Sequence, residues 1–328
     1  MEFLQLLAQN LLSPAILFFA LGIAAGFVKS DLEVPDSISR YLALYLMMAI
    51  GFKGGVAIAN THDINGEVIA AIGAGLVIGF LQPFIAYGLL RVTSKLDSPT
   101  AAAVAAHYGS ISMVTFATAA AFLKTNDVVY AGYIVAILAL MEAPAILSGL
   151  FIAHRVAPQT RHVSEERKLS REIFTNGAIL LLSGAFLIGW ITGQPGMDKV
   201  AGFLDSPFQG ILCLFLLDMG LLVARNLHHL KSFTWPLALF GIYMPLIGAS
   251  IGLLTARLIG LDVGTGTLFT VLCASASYIA VPAAMRLALP EARAAIYLPM
   301  SLAISFPFNV TLGIPFYFDL AGKLLGNH

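Results

Sequence analysis

Long apolar runs bounded by charged or turn-forming residues are the dominant pattern of this chain. A run of about 18 to 25 apolar residues is long enough to cross roughly 30 Å of bilayer hydrocarbon as a helix. Ten such runs can be distinguished, five in each half, at residues 11–28, 38–59, 66–91, 99–123, 128–154, 174–192, 206–225, 233–257, 264–288 and 293–320. The pattern therefore predicts an all-α membrane protein with ten transmembrane helices.

The composition excludes an ordinary soluble fold. Of the 328 residues, 59% are hydrophobic and 11% are charged, and the mean hydropathy is +0.87, whereas soluble domains carry about 25% charged residues. Cys213 and Cys273 fall inside predicted spans, where lone thiols favour apolar packing over a disulfide or a metal site. The opening stretch has neither a basic segment nor a small-residue cleavage site, so we expect it to lead into the first span.

Segments of the first half recur in the second half in the same order. The similar pairs are Pro14–Phe27 with Gly177–Trp190, Gly54–Asn60 with Gly220–Asn226, and Ala106–Ser112 with Cys273–Ile279. Because five spans per half is an odd number, the two halves would cross the membrane in opposite directions. We therefore predict two inverted five-helix repeats, residues 1–154 and 174–328, joined by a linker at 155–173.

The basic residues fall into two sets that alternate between successive loops. The larger set contains Lys29, Arg40, Arg91, Lys95, Arg155, Arg161, Arg167, Lys168, Arg171, Arg225, Lys231, Arg286 and Arg293, and the smaller set contains Lys124, Lys199, Arg257 and Lys323. Cytoplasmic loops of membrane proteins are enriched in Lys and Arg. The larger set, including the linker, is therefore predicted to be cytoplasmic, which places both termini on the opposite side.

The fourth and ninth predicted spans contain helix-breaking residues at matching positions. Gly109 tolerates backbone angles that other residues avoid, and Pro282 follows a serine-rich stretch and has no N–H. Two broken helices related by inverted symmetry would bring half-helix N-termini together near the midplane, where their free N–H groups attract a small anion. The alternative is that these small residues serve only close helix packing.

Four ionisable residues lie within predicted spans and are functional candidates because charge is costly in hydrocarbon. Of these, Lys53 and Asp218 are predicted to form a structural pair between the second and seventh spans. Glu142 aligns with Asn309 in the repeat, so both could offer oxygen ligands to a hard cation such as sodium, although Glu142 could instead be a protonated or capping carboxyl. His107 could donate to an anion or titrate with it, or act as a hydrogen-bonded spacer.

Five stretches resemble the signature segments of the sodium-dependent bicarbonate transporter family. They are Ala49–Val56, Ala106–Ser112, Leu217–Leu221, Ala274–Ala280 and Phe306–Pro315, and the likeness covers both halves. Tyr278 differs from the well-known cyanobacterial members, which have an Asp at that point. The central loop is also shorter than theirs.

The resemblance implies a ten-span inverted-repeat symporter that carries bicarbonate with sodium by moving a core domain against a gate domain. It also implies an inner-membrane homotrimer and a cytoplasmic PII-like regulator, with no cofactor beyond the coupling sodium. The implied substrate-binding residues are Gly109, Ser110, Ile111, Ser112, Ser275, Ala276 and Ser277. The implied sodium ligands are Ser110, Ser277, Glu142 and Asn309, with His107 and Tyr278 as possible auxiliary residues.

Two other functions remain open at this point. The first is a proton-coupled or exchange carrier for another small anion or a monocarboxylate, because backbone N–H groups select charge and size more than identity. The second is an intramembrane enzyme, but the chain has neither a His-Glu-x-x-His zinc motif nor a Gly-x-Ser-x-Gly nucleophile motif. Transport is therefore favoured, and no nucleic-acid partner is expected.

Overall fold

A computed structural model of the chain describes residues 3–60, 66–156, 177–227, 233–278, 281, 285, 289 and 291–326. The predicted linker falls almost entirely outside these residues. All regular structure within the described ranges is helical. The helices are α1 Phe3–Leu11, α2 Pro14–Phe27, α3 Asp36–Ala59, α4 Gly66–Thr93, α5 Ser98–Gly109, α6 Met113–Thr125, α7 Ile134–Val156, α8 Gly177–Leu204, α9 Phe208–Asn226, α10 Trp235–Ile259, α11 Val263–Ala274 and α12 Ala294–Leu325.

Seven of the described helices are long and apolar enough to cross a membrane, namely α3, α4, α7, α8, α9, α10 and α12. Helices α1 and α2 meet at a bend of 58° and would make an eighth span together. The prediction of an all-α membrane protein is therefore confirmed, and most predicted span boundaries lie within a few residues of a helix end.

Two helix pairs pack with their backbones in close contact through small residues. Helix α2 packs on α9, and a Cβ added at Gly22 would lie 2.1 Å from the carbonyl oxygen of Leu217. Helix α3 packs on α8, and a Cβ at Gly55 would lie 1.9 Å from the carbonyl oxygen of Phe186. Small residues allow this approach in membranes. Helix α9 also contacts α3, so α2, α3, α8 and α9 form one unit, here the four-helix group.

The remaining long helices form a second unit. Helix α4 packs on α5 and α7, α10 packs on α11 and α12, and α4 also contacts α10. We call helices α4 to α7 and α10 to α12 the seven-helix group. Its interior is lined by small and aromatic side chains, among them Ala103, Tyr108, Phe240 and Tyr297.

Helices α5 and α11 are built alike. Each has 12 residues and starts at an N-cap aspartate, Asp97 or Asp262, whose side chain accepts the N–H of the residue three positions later at 2.9 Å. Each also ends at a serine with extended backbone, Ser110 or Ser275. The helix ends therefore pair Ser110 with Ser275. The repeated sequence segments had paired Ser110 with Ser277, two residues later.

The two short helices enter the seven-helix group from opposite ends. Arg293, which precedes α12, donates to Asp97 at the start of α5 at 2.7 Å. At the other end of α12, Leu325 packs against Gly266 in the first turn of α11. Since α12 runs continuously between these contacts, α5 and α11 point towards each other and their C-terminal ends meet beside the middle of α12.

Helix α12 departs from regular α-helix in two π segments, Met300–Ser305 and Asn309–Gly313. Pro315 has no N–H to offer the carbonyl of Thr311 four residues earlier. Asn10 of α1 fills this role, since its side-chain amide donates to the carbonyls of Val310 and Thr311, both at 2.9 Å. Single-turn π segments of this kind are frequent at functional sites.

The predicted end of the sixth span at residue 192 coincides with a kink in α8. Gly193 has φ 57° and ψ −154°, which is not helical, so α8 consists of two helical segments that meet at this glycine, and the second segment continues to Leu204.

Candidate functional site

The break predicted in the fourth span is present. Helix α5 ends at Gly109, Ser110 and Ser112 have extended backbone angles, and α6 begins at Met113. The Ser112 hydroxyl caps α6 by accepting the N–H of Thr115 at 3.3 Å. A serine at this position satisfies one of the N–H groups that a helix start leaves without a partner.

Helix α11 ends at Ala274 and the chain continues in extended form through Ser275. Its terminal carbonyls are held by side chains from two other helices. Gln82 of α4 donates to the Cys273 carbonyl at 2.6 Å, and Asn309 of α12 donates to the Ala274 carbonyl at 3.0 Å. Residues 279–280, 282–284, 286–288 and 290 lie outside the described ranges, so the second half of the predicted ninth span, with Pro282, is not described further.

The two breaks contact each other directly. The backbone N–H of Ser277 donates to the His107 carbonyl at 2.8 Å, and the backbone N–H of Ser112 donates to the Ser275 hydroxyl at 2.9 Å. Gly109 is required here, because a Cβ would lie 2.1 Å from Cγ of Pro83 in α4. We call residues 107–112 and 275–278 the crossing.

Three buried polar atoms at the crossing lack a hydrogen-bond partner: His107 Nε2, Ser110 Oγ and Tyr278 Oη. Over the part of the chain that the structure describes, they are the only buried side-chain nitrogen or oxygen atoms in this condition. Leaving such a group unpaired costs about 1 to 3 kcal/mol. Unpaired buried groups of this kind mark places where a polar ligand or water can bind, and all three belong to residues of the crossing.

The helix ends give the crossing charges of both signs. The N-terminal end of α6 presents backbone N–H groups and a partial positive charge, while the C-terminal ends of α5 and α11 present carbonyls and a partial negative charge. The sequence led us to expect two N-terminal ends. One is described, the other falls outside the described residues, and the two C-terminal ends were not anticipated.

Every predicted substrate residue belongs to the crossing. Ser110, Ile111, Ser112, Ser275, Ala276 and Ser277 are all buried. Gln82 was missed, although a buried glutamine beside a proline in an apolar span is itself an unusual signal.

The structure describes three of the four predicted sodium ligands, Ser110, Ser277 and Asn309. Asn309 is buried beside the crossing, and its side-chain oxygen accepts the hydroxyl of Tyr317 at 2.8 Å, which leaves that oxygen one lone pair. Ser110 and Ser277 lie at the crossing itself. Glu142 lies in α7, and its side chain is outside the described part of the chain.

The predicted pairing of Lys53 with Asp218 is wrong. The Lys53 ammonium lies 2.6 Å from Asp205 in the turn between α8 and α9, and Lys124 of α6 lies 3.7 Å from the same carboxylate. Asp218 instead accepts the hydroxyl of Ser39. Asp205 was overlooked because it lies in a turn, outside the apolar runs in which a partner was sought.

Lys53, Lys124 and Asp205 also line a cavity between the two helix groups. It has a volume of about 470 Å³ and is bordered by Lys53, Lys124, Asp127 and Asp205. The hydrogen bond from Lys53 lowers the pKa of Asp205 below its ordinary value, with smaller contributions from both ammonium charges, so this carboxylate is ionised at neutral pH.

A comparison with protein-family models identifies the family of the chain. The model of the Na⁺-dependent bicarbonate transporter superfamily matches residues 14–322, a range that includes the crossing and α12 except for its last three residues. The search of curated proteins returned no match.

Proposed function

Because the chain belongs to the Na⁺-dependent bicarbonate transporter superfamily, we propose that it is a secondary active transporter that takes up bicarbonate together with sodium, bound at the crossing. The resemblance noted in the sequence is confirmed at the level of the family. The observation that supports the site is that three buried atoms of crossing residues, His107 Nε2, Ser110 Oγ and Tyr278 Oη, have no hydrogen-bond partner. A bicarbonate ion offers oxygen acceptors and one O–H donor to such a cluster.

The two kinds of helix end support binding of an ion pair. We place the anion against the N-terminal N–H groups of α6, and the sodium nearer the carbonyl ends of α5 and α11, in the manner of transporters with discontinuous helices. Ser110, Ser277 and Asn309 offer oxygens to the sodium, and Glu142 stays a predicted fourth ligand. A bound sodium offsets the anion's charge where an unpaired charge is expensive.

An inverted repeat is supported by matched features in the two halves. Helices α5 and α11 share length, N-cap and C-terminal serine, and they enter from opposite ends of α12. The small-residue spacing of Gly22 and Gly26 in α2 recurs as Ala185 and Gly189 in α8, at the offset of the first repeated segment. We propose that the repeats correspond to residues 1–154 and 174–328.

Transport would follow from movement of the seven-helix group, as a core domain, against the four-helix group, as a gate domain. The four-helix group is supported as a rigid unit by its backbone contacts, whereas both parts of the crossing belong to the seven-helix group. The core would thus carry its ligands past the gate in an elevator-like step. The inner-membrane location, periplasmic termini, homotrimer and PII-like regulator stay predictions from sequence and resemblance.

Uptake of labelled bicarbonate into proteoliposomes tests the proposal, with and without an inward sodium gradient. We expect sodium-dependent uptake in the wild type and at least a tenfold loss of kcat/KM in Ser110→Ala, since one bond to a charged ligand is worth about 1.5 to 3 kcal/mol. The matched control is Ser148→Ala, a buried serine of α7 whose hydroxyl donates to its own helix at the Ala145 carbonyl.

Each outcome separates one part of the proposal. Uptake that is independent of sodium but depends on a proton gradient would favour the proton-coupled carrier instead. Equal kcat/KM in Ser110→Ala and Ser148→Ala would refute the site while leaving the transport function in place. Because the Ser110 hydroxyl has no partner within the protein, its removal should not lower the unfolding temperature.

A further inference from the structure

The hydrogen bonding of His107 fixes which of its ring nitrogens can bind a ligand. Nδ1 lies 2.6 Å from the carbonyl oxygen of Ala103, one turn earlier in α5. A carbonyl oxygen can only accept, so Nδ1 carries the proton. Nε2 is the nitrogen left without a partner.

The surroundings of the ring favour the neutral form. His107 is fully buried, and its ring packs 4.9 Å from the ring of Tyr297 between centroids. An imidazolium at such a depth would lose its hydration, which is costly in a membrane interior. In the neutral ring with the proton on Nδ1, Nε2 presents a lone pair and can only accept a hydrogen bond.

An acceptor is an unexpected group in a site for anions, and it limits which anions fit. The hydroxyls of Ser110 and Tyr278 can each donate or accept, so they do not distinguish one oxyanion from another. Nitrate and formate are planar ions of the same charge as bicarbonate, but neither has an O–H group. Bicarbonate has one O–H group and can satisfy both the donors and the acceptor.

We propose that His107 Nε2 accepts the O–H of bicarbonate and thereby makes the site selective for a protonated oxyanion over equally charged ions without a proton. This inference rests on the proposed transport of bicarbonate at the crossing. An ion without the proton would leave Nε2 buried and unpaired and would place one of its own negative oxygens against a lone pair. A site that hydrogen-bonds a substrate hydroxyl rejects analogues lacking it for this reason.

Two variants separate the acceptor from the packing of the ring. In His107→Asn the side-chain nitrogen lies where Nδ1 was and can still donate to Ala103, but nothing replaces Nε2. In His107→Gln the side chain is long enough to place its amide oxygen, an acceptor, near the position of Nε2. The first variant removes the acceptor and the second retains it.

The measurement is inhibition of labelled bicarbonate uptake in proteoliposomes by nitrate and by formate. For the wild type we expect each inhibition constant to exceed the KM for bicarbonate by about tenfold or more. In His107→Asn that ratio should fall to near one, mainly through a higher KM for bicarbonate, and His107→Gln should restore most of it.

An unchanged ratio in His107→Asn would overturn the inference while bicarbonate transport stood. Wild-type inhibition by nitrate at the KM of bicarbonate would overturn it without any variant, which decides the matter even if His107→Asn fails to fold by size-exclusion chromatography. Absence of bicarbonate uptake by the wild type would instead refute the proposed function, so the two failures are distinguishable.

Discussion

The ion-pair partner of Lys53 lies in a turn where one neighbouring helix ends and the next begins. Its ammonium reaches Asp205 at 2.6 Å, and both side chains remain partly exposed, at 30% and 46%. Contacts of this kind contribute little to stability, up to about 1 kcal/mol. Their position at the cavity between the helix groups matters more than their strength.

Replacing Asp205 by Asn should lower stability in a pH-dependent way. The Lys53 hydrogen bond lowers the pKa of Asp205 below its ordinary value of 3.8. The carboxylate therefore stabilises the fold at pH values above 3.8, and this contribution disappears as the pH falls through the lowered pKa. We expect Asp205→Asn to unfold at a lower temperature than the wild type at pH 7, and the difference to shrink progressively as the pH falls below 3.8.

Thermal unfolding in detergent at pH 7, 5 and 3 checks this expectation. A difference of the same size at all three values would show that the variant acts through packing and not through the ion pair.

At the scale of elements, the crossing is built from helix ends. A helix that stops inside a membrane leaves carbonyls without partners, and these must be satisfied by protein or trapped water. Gln82 and Asn309 do this for α11, and the Ser277 N–H does it for the His107 carbonyl of α5. The breaks are therefore stable because side chains from α4 and α12, together with the backbone N–H of Ser277, replace the missing backbone bonds.

Helix α8 offers a prediction about a bend of a different kind. Gly193 has φ 57° and ψ −154°, a region that is essentially restricted to glycine. A Cβ at this position would meet nothing nearer than 3.8 Å, so crowding is not an obstacle. Gly193→Ala should therefore destabilise the fold by about 1 to 3 kcal/mol through backbone strain alone.

Gly184→Ala in the same helix is the matched control, because a Cβ there meets no atom within 4 Å and the backbone is helical. Alanine should leave its unfolding temperature unchanged or raise it, since alanine favours helix over glycine by up to about 1 kcal/mol. If both variants unfolded at the wild-type temperature, the strain at Gly193 would be disproved.

At the scale of the whole molecule, the two helix groups make different contacts with Asp205. Lys53 belongs to the four-helix group, as do α8 and α9 on either side of Asp205, whereas Lys124 belongs to α6 of the seven-helix group. Movement of one group against the other would leave the first contact intact and break the second. The carboxylate thus has one partner inside its own group and one across the boundary.

Cross-linking tests that movement. Two pairs of cysteines are compared, and both pairs contain position 205. In a background with Cys213 and Cys273 replaced by alanine, a short thiol-specific bridge between cysteines at positions 124 and 205 should abolish uptake, and reduction should restore it. The same bridge between positions 53 and 205 should leave uptake close to that of the reduced variant. Full activity of the bridged 124 and 205 pair would contradict motion between the groups.

The membrane-spanning helical architecture, the family and the position of the break in the fourth span could be predicted from the amino-acid sequence. These follow from local properties, because apolar runs of membrane length, basic loops and a glycine followed by two serines each act on their own stretch of chain. The serine cluster of the ninth span was identified in the same way, and α11 ends one residue before Ser275.

Which polar groups contact each other could not be predicted from the sequence and is seen only in the folded chain. The Lys53 partner, the support of α11 by Gln82 and Asn309, and the three unpartnered atoms at the crossing all join residues distant in sequence. Hydrophobic periodicity fixes which segments enter the bilayer, but the partner of a polar group depends on distances of about 3 Å between helices. Those distances are set by the packing of small residues between the helices.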